Sequence, residues 1–144
     1  MKKIFFFITL VLITTYGCSS GISDTGFTFG KGKYKFVMKD SSGVKIASGI
    51  LNVTNYENDK ISGTYEFTDV ARKDFEGYSS MNGEFSGDVN KSEKTVFINT
   101  NPRIADSNVF WRLKINRSSL SGDWTFSIFR GKLTGGFIKI TKKN

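Results

Sequence analysis

Four short stretches of this chain share one phrase: an aliphatic residue, a small polar one, glycine, a variable position and an aromatic. They are Ile61-Ser62-Gly63-Thr64-Tyr65, Met81-Asn82-Gly83-Glu84-Phe85, Leu120-Ser121-Gly122-Asp123-Trp124 and Leu133-Thr134-Gly135-Gly136-Phe137. At a period of two, the aliphatic, the glycine and the aromatic share one face and the polar residues take the other, as in a half-buried strand. Glycine between two bulky residues leaves a gap on the buried face, to be filled by a neighbouring aromatic or entered by a ligand. The phrase recurs four times, the chain has one proline, and no stretch shows helical periodicity, so an all-β domain is expected.

The rest of the chain supplies the other strands. Tyr34, Phe36 and Met38 alternate with lysines, and Asp40-Ser41-Ser42-Gly43 then reads as a tight turn. A second strand, Val44 to Thr54, changes parity near Gly49, which predicts a bulge. Further strands are expected at 61–68, 81–89, 95–100, 109–116, 119–128 and 133–141. Eight sequential strands favour an antiparallel up-and-down barrel, which leaves no exposed edge. The long loops, Asp69 to Ser80 and Asn101 to Asn108, follow the third and fifth strands and so fall at the same end. Parity turns Tyr34, Phe36, Tyr65, Phe67, Phe85, Trp111, Trp124 and Phe126 inward. A membrane-spanning barrel would turn its apolar face outward. Short strands and the ending Lys142-Lys143-Asn144 argue against that arrangement.

The N-terminus has a different character. Lys2 and Lys3 precede an apolar run from Ile4 to Ile13, then Thr14-Thr15-Tyr16-Gly17-Cys18. A basic start, a short apolar stretch and a small residue before the cut describe a secretory signal peptide. The run is shorter than the roughly 20 residues a bilayer span needs. Gly17 directly before the only cysteine resembles the lipobox of bacterial lipoproteins, although Thr15 stands where that motif carries an aliphatic residue. The resemblance implies cleavage before Cys18 and lipid attachment to it. It divides the chain into a signal peptide (1–17), a lipidated Ser- and Gly-rich tether (18–31) that docks Phe27 and Phe29, and a barrel domain (32–144). Ser19 after the cysteine, rather than aspartate, resembles the signal for onward sorting to the outer membrane, facing the periplasm.

The strand pattern is similar to the calycin superfamily, whose lipocalin and avidin branches are eight-stranded barrels open at one looped end. Gly32-Lys33-Tyr34 occupies the place of the lipocalin Gly-x-Trp, and Gly63-Thr64-Tyr65 and Gly122-Asp123-Trp124 resemble the glycine–aromatic strands of avidin-like barrels. No complete lipocalin signature or avidin ligand set is present, so biotin binding does not follow.

Charge is unevenly spread. Of the formal +8, residues 101–144 carry +7, from nine basic residues against Asp106 and Asp123, while residues 19–100 carry −1. Such asymmetry suits either a solvated basic face or an anionic neighbour such as a phospholipid or glycolipid surface. Nucleic acid is not expected as a partner, because the inward aromatics lie on the opposite face from the charges.

No catalytic constellation emerges. The chain has no histidine and no phosphate-binding glycine loop. The carboxylates Asp69, Asp74 and Glu76 are interleaved with Arg72 and Lys73, which suits a solvated loop better than a cation site. The chain therefore reads as a non-enzyme without metal or cofactor. The favoured function is a lipid-anchored envelope protein binding a small apolar or amphipathic ligand in the barrel. Tyr34, Phe36, Tyr65, Phe85, Trp111, Trp124 and Phe126 would line that site. The alternative is a filled barrel acting as an interaction or enzyme-inhibitor module through loops 69–80 and 101–108, with Phe75 and Tyr78 as anchors on an envelope protein. An empty apolar interior of at least roughly 300 Å³ would favour the first reading, and a solid core the second.

Overall fold

The computed structural model describes residues 28–143, so the expected signal peptide, Cys18 and Phe27 lie outside the described residues. Eight strands close into one antiparallel barrel in sequence order. They are β1 (Gly32–Asp40), β2 (Lys45–Glu57), β3 (Lys60–Val70), β4 (Glu84–Asn90), β5 (Thr95–Asn99), β6 (Asn108–Ile115), β7 (Leu120–Ile128) and β8 (Gly131–Lys142). Closure comes from β1 pairing with β8, in register from Tyr34↔Lys142 to Asp40↔Gly136.

The turns follow the local chemistry. Asp40 Oδ1 accepts from the Ser42 and Val44 amides, each at 3.0 Å, and from the Ser42 hydroxyl at 2.6 Å. That hydroxyl, followed by the two amides and the Arg72 guanidinium, holds the Asp40 carboxyl below its usual range against a smaller desolvation effect. Asn58 and Asp59 both have positive φ (48° and 61°) and make the two-residue β2–β3 hairpin, tighter than the six-residue turn expected there. The predicted bulge in β2 is present, with the β2–β3 register shifting between Ser48 and Gly49.

Parity is obeyed almost throughout. Tyr34, Phe36 and Met38 on β1, Leu51 and Val53 on β2, Trp111 and Leu113 on β6 and Leu120 and Trp124 on β7 are buried, and the residues between them are exposed or half-buried. The apolar face points inward, the reverse of a lipid-facing barrel.

Two copies of the repeated phrase behave differently from expectation. Met81, Asn82 and Gly83 precede β4 rather than belong to it, and Gly83 has a φ of 89°, so this glycine enters a strand through a left-handed turn. In β8 the phrase faces outward, with Leu133 and Phe137 about half exposed while Ile138 and Ile140 are buried. The cause lies on β7: Trp124 is paired with Gly136 and Phe126 with Thr134, so the inner face of β8 must be small there. The phrase glycines also serve another purpose than making room. A Cβ on Gly63 would lie 2.0 Å from the Asn52 carbonyl oxygen, and one on Gly122 would lie 2.0 Å from that of Arg112. The gap is closed by the backbone of the adjacent strand, which lets a small barrel coil tightly.

Candidate functional site

All seven inward candidates, Tyr34, Phe36, Tyr65, Phe85, Trp111, Trp124 and Phe126, are buried where parity placed them. They pack on one another. Phe36, Tyr65 and Trp111 form a triangle of rings with centroids 5.3–6.4 Å apart. From Phe36 the path continues to Phe67 at 5.9 Å, Tyr78 at 5.5 Å, Phe75 at 5.6 Å and Trp124 at 5.6 Å. Rings at these separations are in contact and attract edge to face, so this set forms a packed core.

Both ends of the barrel are stoppered. At the short-turn end Phe29, just before β1, is buried with its ring 5.2 Å from Tyr34. There the Tyr34 hydroxyl donates to the Gly30 carbonyl at 2.9 Å and accepts from the Gly30 amide at 3.1 Å. At the other end the β3–β4 loop folds over the mouth, and a one-turn 3-10 helix (Tyr78–Ser80) follows its inward bend. Gly77, with a φ of 95°, lets this loop press on Phe126, whose ring a Cβ would meet at 2.7 Å. Phe75 is only 8 % exposed. Of the two loop aromatics proposed as anchors, Phe75 faces the core and Tyr78 is half-buried beside it. The cleft left at this end measures about 190 Å³, with Asp40, Arg72, Asp74 and Glu76 on its walls.

The two long loops are tied together. The Asn82 side-chain amide donates to Asn101 Oδ1 at 2.7 Å, and Arg103 pairs with Glu84 at 2.7 Å. The Tyr65 hydroxyl, inside the barrel, donates to the Thr100 carbonyl at the base of the second loop at 3.4 Å. Burial pushes the Tyr65 phenol up to about 12. A phenol with a folded pKa above its unfolded value of roughly 10 stabilises fully below pH 10 and loses that contribution as pH rises towards 12. Alkaline urea titrations should show stability falling across this window, with a shallower fall in Tyr65→Phe. Equal slopes would refute the assignment.

Arg72 sits between Asp40 and Asp74, at 3.4 and 3.5 Å, and its hydrogen bond holds the Asp74 carboxyl below the usual range. These carboxylates are thus engaged with a cation. Among the described residues no group of three or more potential metal-ligating side chains converges.

Outside the barrel, three aromatics share a face with charged residues: Phe97 and Phe110, which parity reasoning had not singled out, and Phe137, which the repeated phrase had placed on a buried face. Phe97 on β5 and Phe110 on β6 stack at 5.5 Å, and the Arg112 guanidinium lies 5.6 and 5.8 Å from their centroids. Phe137 stands on β8 beside Lys39 and Asp123. The premise that charges and aromatics occupy opposite faces holds for the interior set and fails for these three. A trough of about 700 Å³ runs over β7, β8 and β1, and one of about 450 Å³ over β5, β6 and β7. They share Ser121, Gly122 and Asp123 as a common floor, because β7 carries short side chains outward.

No protein-family model, curated protein or solved structure significantly matches the chain. Its architecture is that of an eight-stranded up-and-down barrel, consistent with a calycin-like fold.

Proposed function

We propose that this chain is a non-enzymatic, lipid-anchored protein of the cell envelope, a calycin-like barrel that acts as an interaction module. Its packed interior is the scaffold, and loops 69–80 and 101–108 form the surface that grips another envelope protein. The observation that carries this reading is the unbroken ring path from Trp111 to Trp124, which fills the space an internal ligand would need. The Asn82–Asn101 and Arg103–Glu84 contacts support it, since they hold the second loop to the segment entering β4 and so reduce the freedom it loses on binding. Ile104, exposed in the second loop, is a better contact residue than the buried Phe75.

The test is capture from the detergent-solubilised envelope of the source cell, with native mass spectrometry of the product. A stoichiometric protein partner that is lost on Ile104→Asp, in a variant whose melting is unchanged, is the expected result. A co-purifying small molecule held inside the barrel would overturn the reading. The anchor is tested separately. Labelled palmitate should enter the wild-type chain and not Cys18→Ser, and label in both would remove the anchor.

A further inference from the structure

Of the six large apolar side chains that stand exposed among the described residues, four lie along β8, its hairpin tip and the adjoining strand. They are Phe129 (94 % exposed), Leu133 (50 %), Phe137 (53 %) and, on β1, Val37 (37 %). This clustering follows from the outward turn of the last repeated phrase. Cations are interleaved with it. Lys139 pairs across to Val37, Lys39 pairs across to Phe137, and Lys35 lies two residues before Val37. Arg130 and Lys132 flank the tip, and Lys132 runs back along the outer surface to lie over Gly135.

Among the described residues none of these five cations takes part in an ion pair, whereas Lys45, Lys60, Arg72, Lys91 and Arg103, on other elements, are each matched to a carboxylate. Two carboxylates border the ridge: Asp123, which stands between Phe137 and Arg112, and Asp40, which pairs with Gly136 and is engaged by Arg72. The wall is thus an apolar ridge set among cations that make no ion pair with the described residues. A soluble surface gains nothing from a phenylalanine held almost wholly in water. An interface between water and hydrocarbon accommodates both kinds of group at once, since rings enter the acyl region and lysine stems lie along it with their charges at the headgroups.

We infer that the β8–β1 wall, from Phe129 to Lys139 with Lys35, Val37 and Lys39, docks on the face of a bilayer containing anionic phospholipid. This surface is distinct from the loop surface proposed above. The second long loop joins β5 to β6, and β4 and β5 lie on the opposite side of the closed barrel, so a docked wall leaves that loop, with Ile104, accessible. The inference draws on the lipid-anchor reading only for proximity. The chain enters the barrel on β1 itself, and fourteen tether residues reach at most roughly 50 Å.

The test uses the chain from residue 18 onward carrying Cys18→Ser, so that no acyl chain contributes. Every buried apolar residue among those described falls between Phe29 and Ile140, so removal of the leader touches none of the described core. The protein should co-sediment with mixed phosphatidylcholine–phosphatidylglycerol vesicles and not with phosphatidylcholine alone. At about fivefold per lysine near an anionic surface, Lys35→Gln/Lys39→Gln/Lys139→Gln should weaken binding on the order of a hundredfold. Lys60→Gln/Lys91→Gln/Lys94→Gln removes equal charge elsewhere and should leave binding nearly intact. In Phe129→Trp, the new indole should shift to the blue on vesicle addition, against the constant signal of buried Trp111 and Trp124. Absent binding, equal binding to both vesicle types, equal loss in the two triple variants or an unshifted indole would each overturn the inference. Palmitate labelling reads the anchor independently of all of these.

Discussion

Trp111→Ala and Trp124→Ala should each lower the free energy of unfolding by about 3–5 kcal/mol, the range for emptying a large aromatic from a packed core. A domain of this size is stable by roughly 5–15 kcal/mol in total, so either change removes a large share. Both indoles are fully buried, Trp111 against Phe36 and Tyr65 and Trp124 against Phe75. Each variant keeps the other tryptophan as its fluorescent probe in urea. The milder Trp→Phe pair separates packing from hydrogen bonding. The Trp124 indole donates to the Lys39 carbonyl at 2.7 Å, while the buried Trp111 indole N–H has no acceptor among the described residues. Trp124→Phe therefore forfeits a made bond and Trp111→Phe does not, so the first should cost about 1 kcal/mol more. A loss below roughly 1 kcal/mol in either alanine variant would mean that the rings do not hold the barrel together.

Gly122→Ala should cost about 3 kcal/mol, although it adds a single carbon. That carbon would sit 2.0 Å from the Arg112 carbonyl oxygen and 3.0 Å from Leu113 Cα, so β6 and β7 must part to admit it. Gly43→Ala is the comparison. Its Cβ would meet nothing within 4 Å, and the strain comes from a φ of 87°. That substitution should cost about 1–2 kcal/mol, and Gly43→Asn less, because asparagine tolerates the left-handed region. Gly122→Asn should be worse than Gly122→Ala, since a longer side chain makes the collision with backbone larger. Chemical denaturation of the four variants checks the order. If asparagine relieved both sites alike, the Gly122 effect would be conformational rather than steric.

The alternation of Tyr34-Lys35-Phe36-Val37-Met38 and of Val109 through Ile115 is written in side-chain polarity, and it determined the strands and their buried faces without help from the fold. So did the Asp40–Gly43 turn, whose residue types carry their own hydrogen bonds, and the parity slip at Gly49, which a bulge had to absorb. The eight-strand count and the gathering of long loops at one end followed from the same local signals. What alternation cannot specify is the sign of a face when both faces have apolar members. Leu133 and Phe137 form as good an inward set as Ile138 and Ile140, and the choice between them was made by Trp124 and Phe126 on the neighbouring strand, which left space only for Gly136 and Thr134. Nor can spacing say whether a barrel is hollow. Phe75 lies in a loop 49 residues before Trp124, yet its ring closes the mouth against that indole at 5.6 Å. Filling, capping and the exposed basic ridge are contacts between residues distant in sequence, set by strand register and by how far a closing barrel brings opposite walls together, and only the tertiary structure decided them.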